Sequence, residues 1–247
     1  TVAAKTDSFT VVEPDKLQSA GIGTVILAED FSMLCWNGDA LNKAAGWRSS
    51  DPSGFNAPSG DCSSSGTYGN SGYECPLFYA DGGLGGAVGG SRLSGWGMRI
   101  PSDAVNAQKS LISRVGYLKL GGYSYAPQIV TPELSCIPEG KKARLKVEFL
   151  GARYDADEAE NLLVSAMKGA MGENHVFVPD RRNDVKMKMD ISSPDLKQYS
   201  VELEADAASR IVIGPDFETT GKGQGSSQYR MYIDEIVITI LEISDIQ

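Results

Sequence analysis

Along the second half of this 247-residue chain, apolar and polar side chains alternate with a period of two. Ala143-Arg144-Leu145-Lys146-Val147-Glu148-Phe149 puts every second residue on one apolar face, the pattern of a half-buried strand. Residues 185–190 and 199–204 repeat it, and residues 229–240 form the best-written run in the chain. Residues 161–166 are a shorter apolar run, and residues 117–120, 128–131 and 210–214 are also strand-like, with Pro127 and Pro132 as punctuation. Residues 8–12 and 24–27 are short β-rich runs near the start, followed by the stretch 29–36. Residues 103–109 have a capping-type start and could form one or two helical turns, whereas the acidic stretch 155–160 reads as a loop between strands.

Residues 45–100 break the pattern. Gly, Ser, Asn, Pro and aromatics dominate, and residues 82–90 approach low complexity. A stretch this long without periodicity is a functional loop system or a poorly ordered tract, and its aromatics favour the first. Short strands separated by turns, with no βαβ spacing, predict an all-β, two-sheet antiparallel jelly-roll sandwich. The expected organisation is one domain over 1–247, with an N-terminal strand or linker over about 1–23 and a loop-rich insert over about 48–100.

Charge narrows the partners. The net charge is -9, and no Lys/Arg cluster offers the basic face that nucleic-acid binding requires. Neutral ligands such as sugars, or cations, fit better. No apolar run reaches the roughly 20 residues of a membrane span. The start, Thr1-Val2-Ala3-Ala4, reads as processed or trimmed. Cys35, Cys62, Cys75 and Cys136 form no CxxC pair, and with one histidine a zinc site is hard to build. Cys62 and Cys75 flank a Ser/Gly/Tyr loop, where a disulfide and free thiols stand as equal alternatives; Cys35 and Cys136 read as buried thiols.

The order of elements resembles a known family. Ala28-Glu29-Asp30-Phe31, Trp36-Asn37-Gly38-Asp39 and Ala45-Gly46-Trp47 carry the first part of the likeness. Gly116-Tyr117-Leu118-Lys119-Leu120-Gly121 and Ile129-Val130-Thr131-Pro132-Glu133-Leu134 carry the middle. Ser209-Arg210-Ile211-Val212-Ile213-Gly214 and Tyr232-Ile233-Asp234-Glu235-Ile236-Val237-Ile238 look like a closing hairpin. Together they resemble galactose-binding-like jelly-roll domains of secreted and surface proteins from gut Bacteroidetes-type bacteria. That resemblance implies a sugar-binding module of a larger surface assembly. It also implies a structural calcium ion near Glu29, Asp30 and Asp234; the acidic loop 155–158 is a second place where carboxylates could gather. The insert departs from the family's pattern.

Sugar rings need flat apolar faces beside polar edges. Trp47, Tyr68, Tyr73, Tyr79 and Trp96 supply the faces, and Arg48, Asp51, Asn56, Asn70, Asp81, Arg92 and Arg99 the edges. The ligand-binding set expected from these is Trp47, Arg48, Tyr68, Tyr73, Tyr79, Arg92 and Trp96. Any one tryptophan is more often a core plug than a platform. Catalysis finds no motif: a triad would have to use His175, no Gly-x-Ser-x-Gly elbow occurs, and the glycines at 82–90 precede no GK[ST]. The expected function is therefore a non-catalytic carbohydrate-binding domain, secreted or at the cell surface. The alternatives are a structural or protein-interaction (adhesin-type) domain and a glycan-active hydrolase.

Overall fold

A computed structural model describes residues 21–32, 75–78, 93–101, 110–114, 117–121, 127–153, 161–188, 196–216 and 230–246. Twelve strands are found there: β1 (Val25–Glu29), β2 (Cys75–Pro76), β3 (Gly97–Arg99), β4 (Leu111–Arg114), β5 (Tyr117–Leu120), β6 (Gln128–Val130), β7 (Lys141–Arg153), β8 (Asn161–Met171), β9 (Phe177–Lys188), β10 (Lys197–Asp206), β11 (Arg210–Pro215) and β12 (Met231–Asp245). No α-helix occurs among the described residues. The strand runs at 8–12 and the turns at 103–109 and 155–160 lie outside them.

The strands form two antiparallel sheets. Sheet A runs β10-β7-β12-β5-β4-β2, with β1 also paired to β12, and sheet B runs β3-β6-β11-β8-β9. Taking β5 to β12 as strands one to eight gives 6-3-8-1 in sheet A and 2-7-4-5 in sheet B. That is the jelly-roll order, in which the chain crosses repeatedly between sheets and the last strand lies beside the first. The sequence expectation of an all-β jelly-roll sandwich holds.

Alternation explains why sheet A forms. In β10 the apolar positions Tyr199, Val201, Leu203 and Ala205 are buried, and the polar ones between them are exposed. They register with Phe149, Val147, Leu145 and Ala143 of β7. The same inner face continues into Ile238 and Ile240 of β12. Sheet B meets it with Met98, Ile129, Leu162, Val164, Ile211 and Ile213. Burying each such side chain contributes about 1.5–3 kcal/mol before chain entropy is counted.

The 48–100 stretch contributes to both sheets. Its described parts supply β2 and β3, which are edge strands of opposite sheets. Leu77, Phe78, Leu93, Trp96 and Met98 all enter the main core. Gly97 is required where β3 passes the β8–β9 turn, because a Cβ there would lie 2.4 Å from the Met171 Cε and 2.6 Å from the His175 carbonyl. His175 sits in a 3-10 turn (Glu173–His175) with φ 58, immediately before β9. Its Nδ1 lies 3.0 Å from the Trp96 carbonyl, and its ring stacks on Phe78 at 4.8 Å. The sole histidine is thus a clamp between the two anchored parts of this stretch and the sandwich.

Candidate functional site

Of the residues expected to bind a ligand, the structure describes one. Trp96 is 3% exposed and meets Phe31 edge-on at 5.8 Å. Its indole fills the core and offers no face to a sugar. This corrects the expectation for Trp96: three residues before it, Leu93 is buried too, and the 93–96 turn closes with the Trp96 N–H donating to the Leu93 carbonyl at 3.1 Å. Arg99, expected on a polar edge, is also buried; its guanidinium donates to Gln128 Oε1 at 2.9 Å, and Gln128 Nε2 donates to the Pro215 carbonyl at 2.7 Å. Trp47, Arg48, Tyr68, Tyr73, Tyr79 and Arg92 lie outside the described residues, as do Asp51, Asn56, Asn70 and Asp81. In sequence, Tyr73 and Tyr79 stand two and one residues from the anchored Cys75–Phe78 segment, and Arg92 directly precedes Leu93.

The residues expected to hold calcium do come close to one another. β1 pairs with β12 so that Glu29 faces Ile236, beside an irregularity in β12 between Asp234 and Val237. Glu235 in that bulge has φ 49, as does Phe31 just beyond β1. Each carboxylate turns an oxygen back onto the local backbone. Glu29 Oε1 accepts from the Phe31 N–H at 2.8 Å, Asp30 Oδ1 from the Ser32 N–H at 3.0 Å, and Asp234 Oδ1 from the Glu235 N–H at 2.8 Å. Burial pushes the Asp234 carboxyl up to about 7; the Glu235 N–H opposes this, and the charges of Glu235, Asp30 and Glu29 reinforce it. Hard oxygen donors suit calcium. As placed, however, no three His, Cys, Asp or Glu side chains among the described residues converge to hold a metal ion. The geometry does not fit a bound ion without rotation of these side chains.

Cys136 is a free, partly buried thiol, and burial raises its pKa. Cys75 opens β2, while Cys35 and Cys62 fall outside the described residues, so the 62–75 pairing does too.

The two outward sheet faces differ at the β7–β10 end, although around β5 sheet A too has a small buried outer cluster, of Tyr117, Ala152 and Tyr232. On sheet B, Val130, Leu163, Met167, Phe177 and Val212 make a second apolar cluster, all buried, on the side away from the main core. On sheet A the outward charges of β7, β10 and β12 neutralise one another across strands: Arg144 meets Glu202 at 2.8 Å and Glu242 at 3.4 Å, and Lys142 meets Glu204 at 3.2 Å. Where the edge strands β9 and β10 face each other, a basin of about 250 Å3 opens between the sheets. In sequence, 180–184 looks like an ordinary solvated charge run; only the period-two alternation separates Arg181 and Asn183 from Arg182 and Asp184.

No protein-family model matches this chain, and no curated protein matches it. Solved structures do resemble it. A cleaved adhesin domain (K3) of Lys-gingipain from Porphyromonas gingivalis aligns at 16% identity over 59% of this chain and 90% of that one, with a TM-score of 0.36. The CBM22-1 xylan-binding domain of Paenibacillus barcinonensis Xyn10C aligns at 8% identity over 91% of this chain and 99% of that one, with a TM-score of 0.32. The CBM22-1–GH10 modules of a Clostridium thermocellum xylanase align at 11% identity over 60% of this chain and 26% of that one, with a TM-score of 0.34. Among the described residues no helix is long and apolar enough to cross a membrane.

Proposed function

We propose that this chain is a non-catalytic carbohydrate-binding domain of a secreted or surface protein, reading its glycan with the aromatics of residues 47–92. One observation carries the reading. The aromatic- and glycine-rich stretch is tied into a rigid sandwich at Cys75–Phe78 and again from Leu93 to Arg99, with Leu77, Phe78, Leu93, Trp96 and Met98 buried. Recognition residues belong on segments held by a stiff scaffold. Trp47, Tyr68, Tyr73 and Tyr79 would stack on sugar rings, with Arg48 and Arg92 reaching hydroxyls.

A glycan array with the purified chain tests it. Specific binding that Trp47→Ala or Tyr79→Ala lowers at least tenfold, with the melting temperature unchanged, is the expected result. Silence across a broad array from a folded protein would contradict it.

Burial of Trp96, the one tryptophan described, favours the adhesin-type reading as runner-up: a domain whose aromatics serve packing and whose partners are other proteins. Calcium at Glu29, Asp30 and Asp234 is a separate proposal, since these carboxylates would have to turn towards a shared centre.

A further inference from the structure

The basin between β9 and β10 holds a charge that no described residue satisfies. Sheet B contributes Lys168 from β8 and Arg181 from β9, which register as a cross-strand pair. Sheet A contributes Asp206 and, reaching round its edge from the outer face, Lys142 and Glu204. Beside them Asn183 Nδ2 donates to the Glu204 carbonyl at 3.2 Å, linking the two sheets.

Every other charge lining the basin is committed. Lys142 lies 3.2 Å from both Glu204 carboxylate oxygens. Lys168 pairs with Asp206 Oδ2, and Asp206 Oδ1 accepts from the Ser209 hydroxyl at 3.0 Å and the Ala208 N–H at 3.2 Å. Burial alone would raise the Asp206 carboxyl, but the Lys168 and Ser209 hydrogen bonds and the Lys168 charge hold it below the usual range. Arg182 turns away onto Asp184, at 2.6 Å and 3.1 Å. Arg181 makes no hydrogen bond or ion pair with any described residue, although it stands opposite another cation. Like charges directly opposed across strands are destabilising; Asp206 answers Lys168, and no carboxylate among the described residues answers Arg181. On a chain of net charge -9 this is a local excess of positive charge: four cations meet three carboxylates, Glu204, Asp206 and Asp184, and Arg181 is the one left over.

A guanidinium with free donors recognises a carboxylate through two parallel hydrogen bonds. The basin's volume lies below the roughly 300–1,000 Å3 of drug-sized sites and suits one sugar ring. Ile246 offers an apolar surface at the rim. We infer that the basin between β9 and β10 binds an acidic saccharide unit, a uronate whose carboxylate pairs with Arg181 while its ring lies towards Asn183 and Ile246. The inference rests on the carbohydrate-binding reading for its ring, and on Arg181 and Lys168 for its charge.

Amide chemical shifts followed in low salt with D-glucuronate, with D-glucose as its neutral match, and with inorganic sulfate as a bare anion, test it. Glucuronate should shift amides of residues 166–168 and 181–183 saturably and bind at least tenfold more tightly than glucose or sulfate. Arg181→Gln, at an exposed position, should weaken glucuronate at least tenfold without changing the melting temperature. Equal affinity for glucose, an unchanged Arg181→Gln affinity, or no shift with glucuronate would overturn the inference. Sulfate binding as tightly as glucuronate would overturn its saccharide part. Because neutral glycans on the array report on residues 47–92, a signal there with no glucuronate shift sinks this basin alone. Silence in both sinks the carbohydrate reading as well.

Discussion

The outward face of sheet B and the β7–β10 end of sheet A's outward face are written on strands of similar length, yet the first is dry and the second wet. β10 alternates strictly, so its outward residues Glu202 and Glu204 stand in water and pair with Arg144 and Lys142. β8 and β11 do not alternate. Leu162, Leu163 and Val164 are all buried, as are Ile211, Val212 and Ile213. A strand apolar on both faces must be covered on both faces. Sheet B is therefore buried on its outer side at these positions as well as on its core side. Sheet A's outer side is open and already neutralised along β7, β10 and the second half of β12, whereas around β5 Tyr117, Ala152 and Tyr232 close it with a small buried cluster of their own. On the proposed reading, a ligand meets the protein at the seam between the sheets or on the segments tied to β2 and β3.

The sharpest way to break this comparison is to truncate the dry face. Leu163→Ala should cost about 2–5 kcal/mol in urea unfolding, because the residue is fully buried on the side away from the main core. A cost below about 1 kcal/mol would mean that this face is open.

An intermediate effect belongs to Asp234, at the junction of β1 and β12. Its folded value of about 7 lies above the roughly 3.9 of an unfolded chain. The folded state therefore holds the proton more tightly, and this group's contribution is full below about pH 4 and lost as pH rises towards 7. Asp234→Asn should be neutral near pH 4 and stabilise the protein at pH 8 by about 1–2 kcal/mol after discounting for partial exposure. Thermal melts at both values check the sign. Calcium, if these carboxylates turn to hold it, should raise the melting temperature at pH 8 in the wild type and not in Asp234→Asn; no shift in either removes the calcium proposal.

The smallest effect is expected on the wet face. Arg144→Ala breaks two exposed ion pairs and should cost no more than about 1 kcal/mol, shrinking in salt. A larger, salt-independent loss would show that the ladder is more than a solvated surface.

What the sequence made legible follows from the same contrast. Alternation located β7, β9, β10 and β12, and the apolar run at 161–166 located β8, though β8 continues to Met171 and β9 begins at Phe177, where small residues and charges blur the period. β2, β3 and β4 escaped because two to four residues amid Gly, Ser and Pro carry no period at all. Trp96 reads in sequence as one more aromatic among glycines; only its contact with Phe31 across the core reveals its role. Arg181 is equally silent in sequence, since which of two adjacent arginines finds a carboxylate depends on the face each takes in β9.

On the proposed reading, a neutral glycan meets the anchored aromatic stretch and not the face of a sheet. Hydrogen-exchange footprinting with a neutral glycan selected on the array tests this most directly. The account predicts new protection within residues 45–92, with the amides of β8 and β11 unchanged. Protection appearing instead at residues 162–167 and 211–213, with none in 45–92, would contradict it.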